Sequence, residues 1–378
     1  MEVNFSFQTN PKLYFGEGSL FKLPFLLRDF GTNILLITTN SFVNTDFYQK
    51  LHNELKKEKI KISEYINTGE PSVDNVDMVV EEFSKENINV IVSIGGGSPI
   101  DLGKAISAML PLRESILNYL EGVGNKKHPG YKVPFIAIPT TAGTGAEATK
   151  NAVISKIGAN GFKKSLRHDN FMPDIAIVDP LLIMNCPLLI SYSSGMDALT
   201  QLVESYLSTA SNIYTDALCE KALNLFGKSF IKIISGNSSK EDYYNISFAA
   251  YISGITLTNA GLGAVHGFAS VLGGYYEIPH GIVCAKLLLP TLEKTISKLE
   301  KNSIYFSKYK KITELLSYEN KDLITYLYEL KNLIILPDLK DFGIPEKDYE
   351  KIALETSCKN SPVKLEKEDL IQILKQAV

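Results

Sequence analysis

Asn89-Val90-Ile91-Val92-Ser93-Ile94 runs without a break into Gly95-Gly96-Gly97-Ser98-Pro99-Ile100-Asp101, and the reading of that junction decides the fold. The first six residues read as a strand, and an apolar helical pattern through Lys104, Ala105 and Ile106 follows the glycines. Consecutive glycines carry no Cβ, so the backbone can approach a ligand closely. The helix beyond them presents free N–H groups and the positive end of its dipole to an anion. The pyrophosphate of a dinucleotide suits that place, lying over Gly95, Gly96, Gly97 and Ser98. The spacing is not G-x-G-x-x-G, so a purely structural turn is the alternative. Asp101 either joins the site or serves the helix N-terminus.

Strands and helices alternate on both sides of this junction. Residues 4–7 alternate weakly, as an edge strand would, and Tyr14 to Ser19 reads as a turn leading into a helix near Leu20 to Phe30. Asn33 to Thr38 is a short apolar run ending in hydroxyl residues, which suits a buried parallel strand. A helix around Phe47 to Lys57, a strand at Lys61 to Ile66 and an amphipathic helix at Val76 to Lys85 complete the N-terminal side. Beyond the glycines, Pro134 to Ile138 and Ile175 to Val178 read as further strands. The alternation predicts a doubly wound, parallel α/β sheet with right-handed crossovers over residues 1–180. Past Asp179-Pro180 the strand periodicity stops, so residues 181–378 are predicted to be all-helical. A length of 378 residues suits two such domains better than one core.

Two loops of the first domain carry binding groups. Pro139 to Thr149 holds two glycines and the hydroxyls of Thr140, Thr141, Thr144 and Thr149 at a strand's carboxyl end, where open α/β sheets bind ligands. These are uncharged partners for ribose, nicotinamide amide or phosphate. The loop after the first nucleotide-binding strand, Thr38-Thr39-Asn40-Ser41, lacks the Asp or Glu that NAD-preferring sites set against the ribose 2′-hydroxyl. Thr39, Asn40 and Ser41 therefore lean toward NADP over NAD, unless Asp46 or Lys50 folds back.

In the helical half, Ile246 to Tyr276 contains no Lys, Arg, Asp or Glu. His266 lies in this run and His280 follows fourteen residues later. Imidazole is the commonest metal ligand and works best with water excluded. The run is long enough to cross a membrane, but its Asn, His, Ser and Thr content and the absence of flanking Lys and Arg argue against a span. Asp197 and Gln201 are four apart on the first helix past the boundary and share a side of it. Asp197 could instead be a helix-start residue, and Glu204 is expected to be solvated or paired.

Bulk properties exclude other classes. Apolar residues at 45% and charged residues at 21% describe an ordinary globular protein. A net charge of −3, a pI near 6.0 and a mean hydropathy of +0.02 argue against a nucleic-acid surface or a membrane protein. The four cysteines (Cys186, Cys219, Cys284, Cys358) are scattered without a C-x-x-C, so neither a zinc knuckle nor a disulfide framework is suggested. No signal peptide is evident at Met1 to Asn4, and the cytoplasm is the default expectation.

The motifs Phe15-Gly16-x-Gly18, Gly95-Gly96-Gly97-Ser98-x-x-Asp101, Pro139-Thr140-Thr141-Ala142-Gly143-Thr144-Gly145, Gly195-Met196-Asp197-Ala198-Leu199-Thr200, Gly261-Leu262-Gly263-x-x-His266 and Pro279-His280-Gly281 occur in that order. Together they resemble the iron-containing (group III) alcohol dehydrogenase family, within the dehydroquinate-synthase-like architecture, over nearly the whole chain. The resemblance implies a metal in the cleft between the two domains, held by Asp197, Gln201, His266 and His280. Gln201 departs from the histidine usual there, and would act as a weak oxygen ligand or from behind a water. Ser270 departs from a histidine often found four residues after His266, and shifts any proton relay toward water or the ribose hydroxyl. Lys163 resembles a family lysine near the cofactor, with a solvated lysine as the alternative.

The implied activity is a metal-dependent NAD(P)-linked alcohol dehydrogenase or aldehyde reductase on a small alcohol/aldehyde pair, using Fe²⁺ or Zn²⁺. A dimer or larger homo-oligomer is expected, with no nucleic-acid or membrane partner. A maleylacetate-reductase-like carbonyl reductase and a catalytically idle dinucleotide-binding protein are the competing readings.

Overall fold

The computed structural model describes residues 4–316 and 322–377. Six strands form one parallel sheet in the order β1-β8-β5-β4-β2-β3: β1 (Lys12–Phe15), β2 (Asn33–Thr38), β3 (Lys61–Ile66), β4 (Val90–Gly95), β5 (Phe135–Pro139) and β8 (Ile175–Val178). β6 (Asn151–Lys156) and β7 (Phe162–Arg167) pair as a separate antiparallel hairpin. Helices α1 (Leu23–Leu26), α2 (Asn40–Val43), α3 (Asp46–Lys57), α4 (Val73–Phe83) and α5 (Gly97–Met109) belong to this half.

Alternate residues of the central strands feed two different cores, which is what double winding requires. Leu35, Ile37, Ile91, Phe135 and Ala137 pack with Val76, Val79, Ile100 and Ile106 of α4 and α5 on one face. Ile34, Leu36, Val92, Ile136 and Ile138 pack with Leu20, Leu23, Leu27, Leu51 and Leu55 on the other. Each face then buries a continuous apolar layer, so a one-residue slip in any central strand would move its side chains into the wrong core.

The N-terminal expectations need correction. Residues 4–7 form no strand; Lys12–Phe15 takes the sheet edge by pairing with Ile175–Val178. The preceding segment is tied down by side chains, with Asn10 donating to the carbonyls of Glu147 and Pro173 and accepting from Tyr251. In place of one helix near Leu20 to Phe30 there are short turns of helix at Ser19–Lys22, Leu23–Leu26 and Leu27–Asp29. Pro24 sits at the start of the middle one, where its missing N–H costs nothing.

The chain after β8 is helical: α6 (Leu188–Leu207), α7 (Ile213–Ile234), α8 (Lys240–Ala260), α9 (Ala264–Tyr275), α10 (His280–Lys298), α11 (Ile304–Leu316), α12 (Leu323–Leu333), α13 (Tyr349–Glu355) and α14 (Lys367–Ala377). Their shared core reaches back to Ala142, Ala148, Ala176 and Val178 of the sheet half. The uncharged run does not form one rod. It breaks at Gly261-Leu262-Gly263, and α8 and α9 are bent by 96° from each other. Among the described residues no single helix is long and apolar enough to cross a membrane.

Candidate metal and dinucleotide site

Three helices converge on one carboxylate. Asp197 lies in the middle of α6 and is fully buried, so it is not the helix-start residue that its spacing also allowed. His266, on the first turn of α9, brings Nε2 to 3.2 Å from Asp197 Oδ1, and His280, the first residue of α10, brings its Nε2 to 3.5 Å from the same oxygen. Glu204, two turns beyond Asp197 on α6, accepts from the backbone N–H of Val265 with one oxygen and from His266 Nδ1 with the other, both at 2.7 Å. That bond keeps a proton of His266 on Nδ1 and turns Nε2 toward Asp197, where it can hold a second proton or, in its place, a metal ion. A fourth donor completes the group: Cys284 Sγ is 3.5 Å from Asp197 Oδ1, 3.9 Å from His266 Nε2 and 3.8 Å from His280 Nε2.

The electrostatics call for a cation. Burial opposes the charge of Asp197, yet His280 and His266 beside it hold its carboxyl well below the usual range. Burial likewise opposes protonation of His280, but Cys284 and Asp197 raise it to about 9. His266 is raised well above its ordinary value, as Cys284, Asp197 and Glu204 overcome burial. A buried anion flanked by two imidazoles thus draws positive charge, either as protons or as a metal ion. The donor set fits a divalent ion: the four ligand atoms all lie within 4.8 Å of one another. Two O or N ligands at 2.0–2.1 Å from a tetrahedral ion stand about 3.3 Å apart, against 3.2 and 3.5 Å for Asp197 to the two histidines.

The loops at the sheet's carboxyl edge adjoin this cluster. Gln201 Nε2 donates to Asp197 Oδ1 at 3.1 Å and lies 3.4 Å from the carbonyl of Thr144. The Pro139 to Thr149 loop meets α8 backbone to backbone, where a Cβ on Gly145 would fall 2.5 Å from the backbone of Gly254. No side chain caps the start of α5, so the N–H groups after Gly96 point outward for an anion. A Cβ on Gly97 would stand 2.6 Å from Thr144 Cγ2, so the glycine lets two binding loops pack together as well as admitting a ligand.

Residues 10–180 match the family described as iron-containing alcohol dehydrogenase, and residues 191–378 match the C-terminal region of the Fe-containing alcohol dehydrogenase family. This chain belongs to the iron-containing alcohol dehydrogenase family. It is 32% identical over 374 residues to alcohol dehydrogenase 4 of Schizosaccharomyces pombe, covering 96% of this chain and 87% of that one. It is 30% identical over 386 residues to the NAD-dependent methanol dehydrogenase of Bacillus methanolicus, covering 97% and 98%. A crystal structure of 1,3-propanediol oxidoreductase superposes with a TM-score of 0.88 at 26% identity, over all of both chains.

On this iron-containing dehydrogenase frame, the structure brings Asp197, His266 and His280 together and treats the remaining predicted residues differently. Gln201 stands beside the cluster, but its Oε1 accepts from Ser253 Oγ at 2.6 Å and its amide nitrogen, not its oxygen, faces Asp197. Ser270 donates to the carbonyl of Lys163 at 3.0 Å. Lys163 is no solvated lysine: its side chain is 9% exposed and its Nζ lies 2.6 Å from Glu70 Oε1. Thr149 is turned inward, where its hydroxyl meets Lys104 Nζ at 2.8 Å and is closed off from a ligand. Asp101 does not cap α5; it accepts from Val153 N–H of the hairpin at 3.2 Å. Thr39 caps α2 and bonds Ser41 Oγ at 2.8 Å, leaving Asn40 and Ser41 on the surface. Thr144 Oγ1 accepts from Ala146 N–H, while Thr140 and Thr141 lie half-buried beside the glycine loop, Thr140 N–H donating to the Gly95 carbonyl and Thr141 standing against Gly96; Ser98 is half-buried on the first turn of α5. Two members of the site were missed: Cys284, one turn after His280, and the orienting role of Glu204. Their spacings, His280-x-x-x-Cys284 and Asp197 to Glu204 across two turns, were the available signals.

Proposed function

We propose that this chain is a metal-dependent, nicotinamide-linked alcohol dehydrogenase that also runs as an aldehyde reductase on a small alcohol/aldehyde pair. Family membership supports this, and one observation carries it. Gln201 links the Asp197–His266–His280 cluster to Thr144, so the ligands of an ion adjoin the loop suited to a dinucleotide. Asp197, His266 and His280 would hold the ion, Fe²⁺ or Zn²⁺. Gly95, Gly96, Gly97 and Ser98 would hold the pyrophosphate on the α5 N-terminus, with Thr140, Thr141 and Thr144 beside it. NADP is preferred over NAD in this proposal, because residues 38–41 offer hydroxyls and an amide but no carboxylate to repel a 2′-phosphate.

When bound, the ion would polarise the oxygen of the alcohol or aldehyde and the nicotinamide would exchange hydride with its carbon. The chain's own groups set up that encounter. Asp197 stays ionised under the pull of both imidazoles, and Glu204 fixes the tautomer of His266. The hydroxyl of Ser270 is engaged by the Lys163 carbonyl, so the alcohol proton leaves through water or the ribose hydroxyl. Division of labour near residue 180, with the dinucleotide on 1–180 and the ion on 181–378, and assembly as a dimer or larger belong to the same proposal.

The test is turnover of a panel of short aldehydes with NADPH and NADH, before and after chelation. Activity should fall to background on chelation, return with Fe²⁺ or Zn²⁺, and be lost in Asp197→Ala and His266→Ala. Unchanged turnover in those variants would remove the metal mechanism.

A further inference from the structure

Three helices carry a ligand, and on two of them the residue a single turn further along lies against the cluster: Gln201 after Asp197 on α6, and Cys284 after His280 on α10. They are not equivalent. The oxygen of Gln201 is taken by Ser253 Oγ at 2.6 Å, and the amide group facing the cluster is a donor already directed to Asp197 and Thr144. An amide N–H cannot ligate a cation. Cys284 is fully buried in the helical core, and three polar donors of the cluster lie within 3.9 Å of its sulfur.

The distances carry the comparison further. A thiolate sulfur at 2.3 Å and an O or N donor at 2.0–2.1 Å from one tetrahedral ion stand about 3.6 Å apart. Cys284 Sγ stands 3.5 Å from the Asp197 oxygen, 3.8 Å from His280 Nε2 and 3.9 Å from His266 Nε2. All three edges come within a few tenths of an ångström of that value. The sulfur is at a ligand's distance from each of the other donors.

We propose that Cys284 is a thiolate ligand of the metal, making an Asp197–His266–His280–Cys284 centre in which Gln201 acts only as a hydrogen-bond donor that orients Asp197. On binding, the Cys284 S–H bond breaks, its proton and any proton on Nε2 of His266 and His280 leave to solvent, and the sulfur–metal and nitrogen–metal bonds form, with no change of oxidation state. Two anionic and two neutral ligands bring the charge of a divalent centre near zero. A soft thiolate favours Zn²⁺ over ions that prefer oxygen. With four ligands from the protein, a substrate oxygen has to enter as a fifth, as zinc sites permit. The inference rests on the reading that this cluster holds a divalent ion.

The two can be separated by one experiment on the full chain, stripped with a chelator and titrated with Co²⁺ or Zn²⁺ alone. The expected result is one ion per chain, a near-ultraviolet sulfur-to-cobalt charge-transfer band, and protection of Cys284 from alkylation by bound Zn²⁺. The other three cysteines serve as internal references. Cys284→Ser should abolish the band and weaken Zn²⁺ by more than tenfold, the lower end of what loss of a mere orienting partner does, while Gln201→Ala should keep the band. Visible cobalt bands without the charge-transfer band, or alkylation of Cys284 undiminished by Zn²⁺, would overturn the thiolate assignment and leave the three-residue centre standing. Failure of the wild-type chain to bind either ion would overturn both. The wild-type spectrum and the alkylation do not depend on any variant folding.

Discussion

Replacing Glu204 by Gln changes one oxygen to an amide group and tests how His266 is held. Both carboxylate oxygens of Glu204 are in use at 2.7 Å, one by Val265 N–H and one by His266 Nδ1. A glutamine has one acceptor oxygen, so its NH₂ must face one of those two N–H donors. The backbone N–H cannot turn away, and the imidazole can. A buried hydrogen bond to a charged group contributes about 1.5–3 kcal/mol, so losing one corresponds to roughly 10–100-fold in metal affinity, matching what orienting partners of ligating histidines command. The assay is competition of stripped protein against a chromophoric chelator for Zn²⁺, with thermal unfolding as the control for folding. Glu204→Gln should raise the Zn²⁺ Kd by about 10–100-fold and recover much of its turnover when the ion is saturating. An affinity within a factor of about three of wild type would refute the orienting role. A loss of turnover that excess Zn²⁺ does not recover would place the damage elsewhere.

Three further outcomes follow from groups near the site. Lys104, 1% exposed, donates to the carbonyls of Ala146 and Asn151 and to Thr149 Oγ1; Lys104→Met should destabilise the fold by about 3–5 kcal/mol, because it strands buried acceptors and uncovers Asp101, read from urea unfolding. Gly97→Ala puts a Cβ 2.6 Å from Thr144 Cγ2, so KM for the nicotinamide should rise about tenfold for an overpacking cost of 1–3 kcal/mol, with partial recovery when Thr144→Ala is added; an unchanged KM would remove the glycine loop from the cofactor site. Burial lifts the Glu147 carboxyl to about 7, against the pull of Lys104. The folded chain therefore holds more protons than the unfolded one between the ordinary carboxylate range and pH 7. Stability from this group declines as pH rises across that window, by at most about 1.4 kcal/mol per pH unit, and Glu147→Gln should flatten the slope.

Much of the fold was legible because the central strands are apolar on both faces and end in glycine or hydroxyl residues, a pattern only a covered parallel sheet explains. Asp197, His266 and His280 were legible because each is a polar group in an otherwise apolar helix or at its start. Cys284 was not, since a single buried cysteine reads as a small apolar side chain until the ligand beside it on the same helix face is recognised. The hairpin β6–β7 went unread because Phe162-Lys163-Lys164-Ser165-Leu166-Arg167 is too charged for a core strand. Lys163 is instead offset by Glu70 and Arg167 by Glu121, partners far away in sequence. The Pro139 to Thr149 loop shows the same limit. Four threonines look alike in sequence, yet the buried ammonium of Lys104, contributed by α5, claims Thr149.

Whether Asp197, His266 and His280 hold one ion is read directly by anomalous diffraction from crystals of the full chain soaked in Zn²⁺, collected at the zinc edge. One peak per chain is expected at about 2.0–2.2 Å from Asp197 Oδ1 and from both His266 Nε2 and His280 Nε2. A peak bound by other residues, or none at all in protein whose turnover survives chelation, would contradict it.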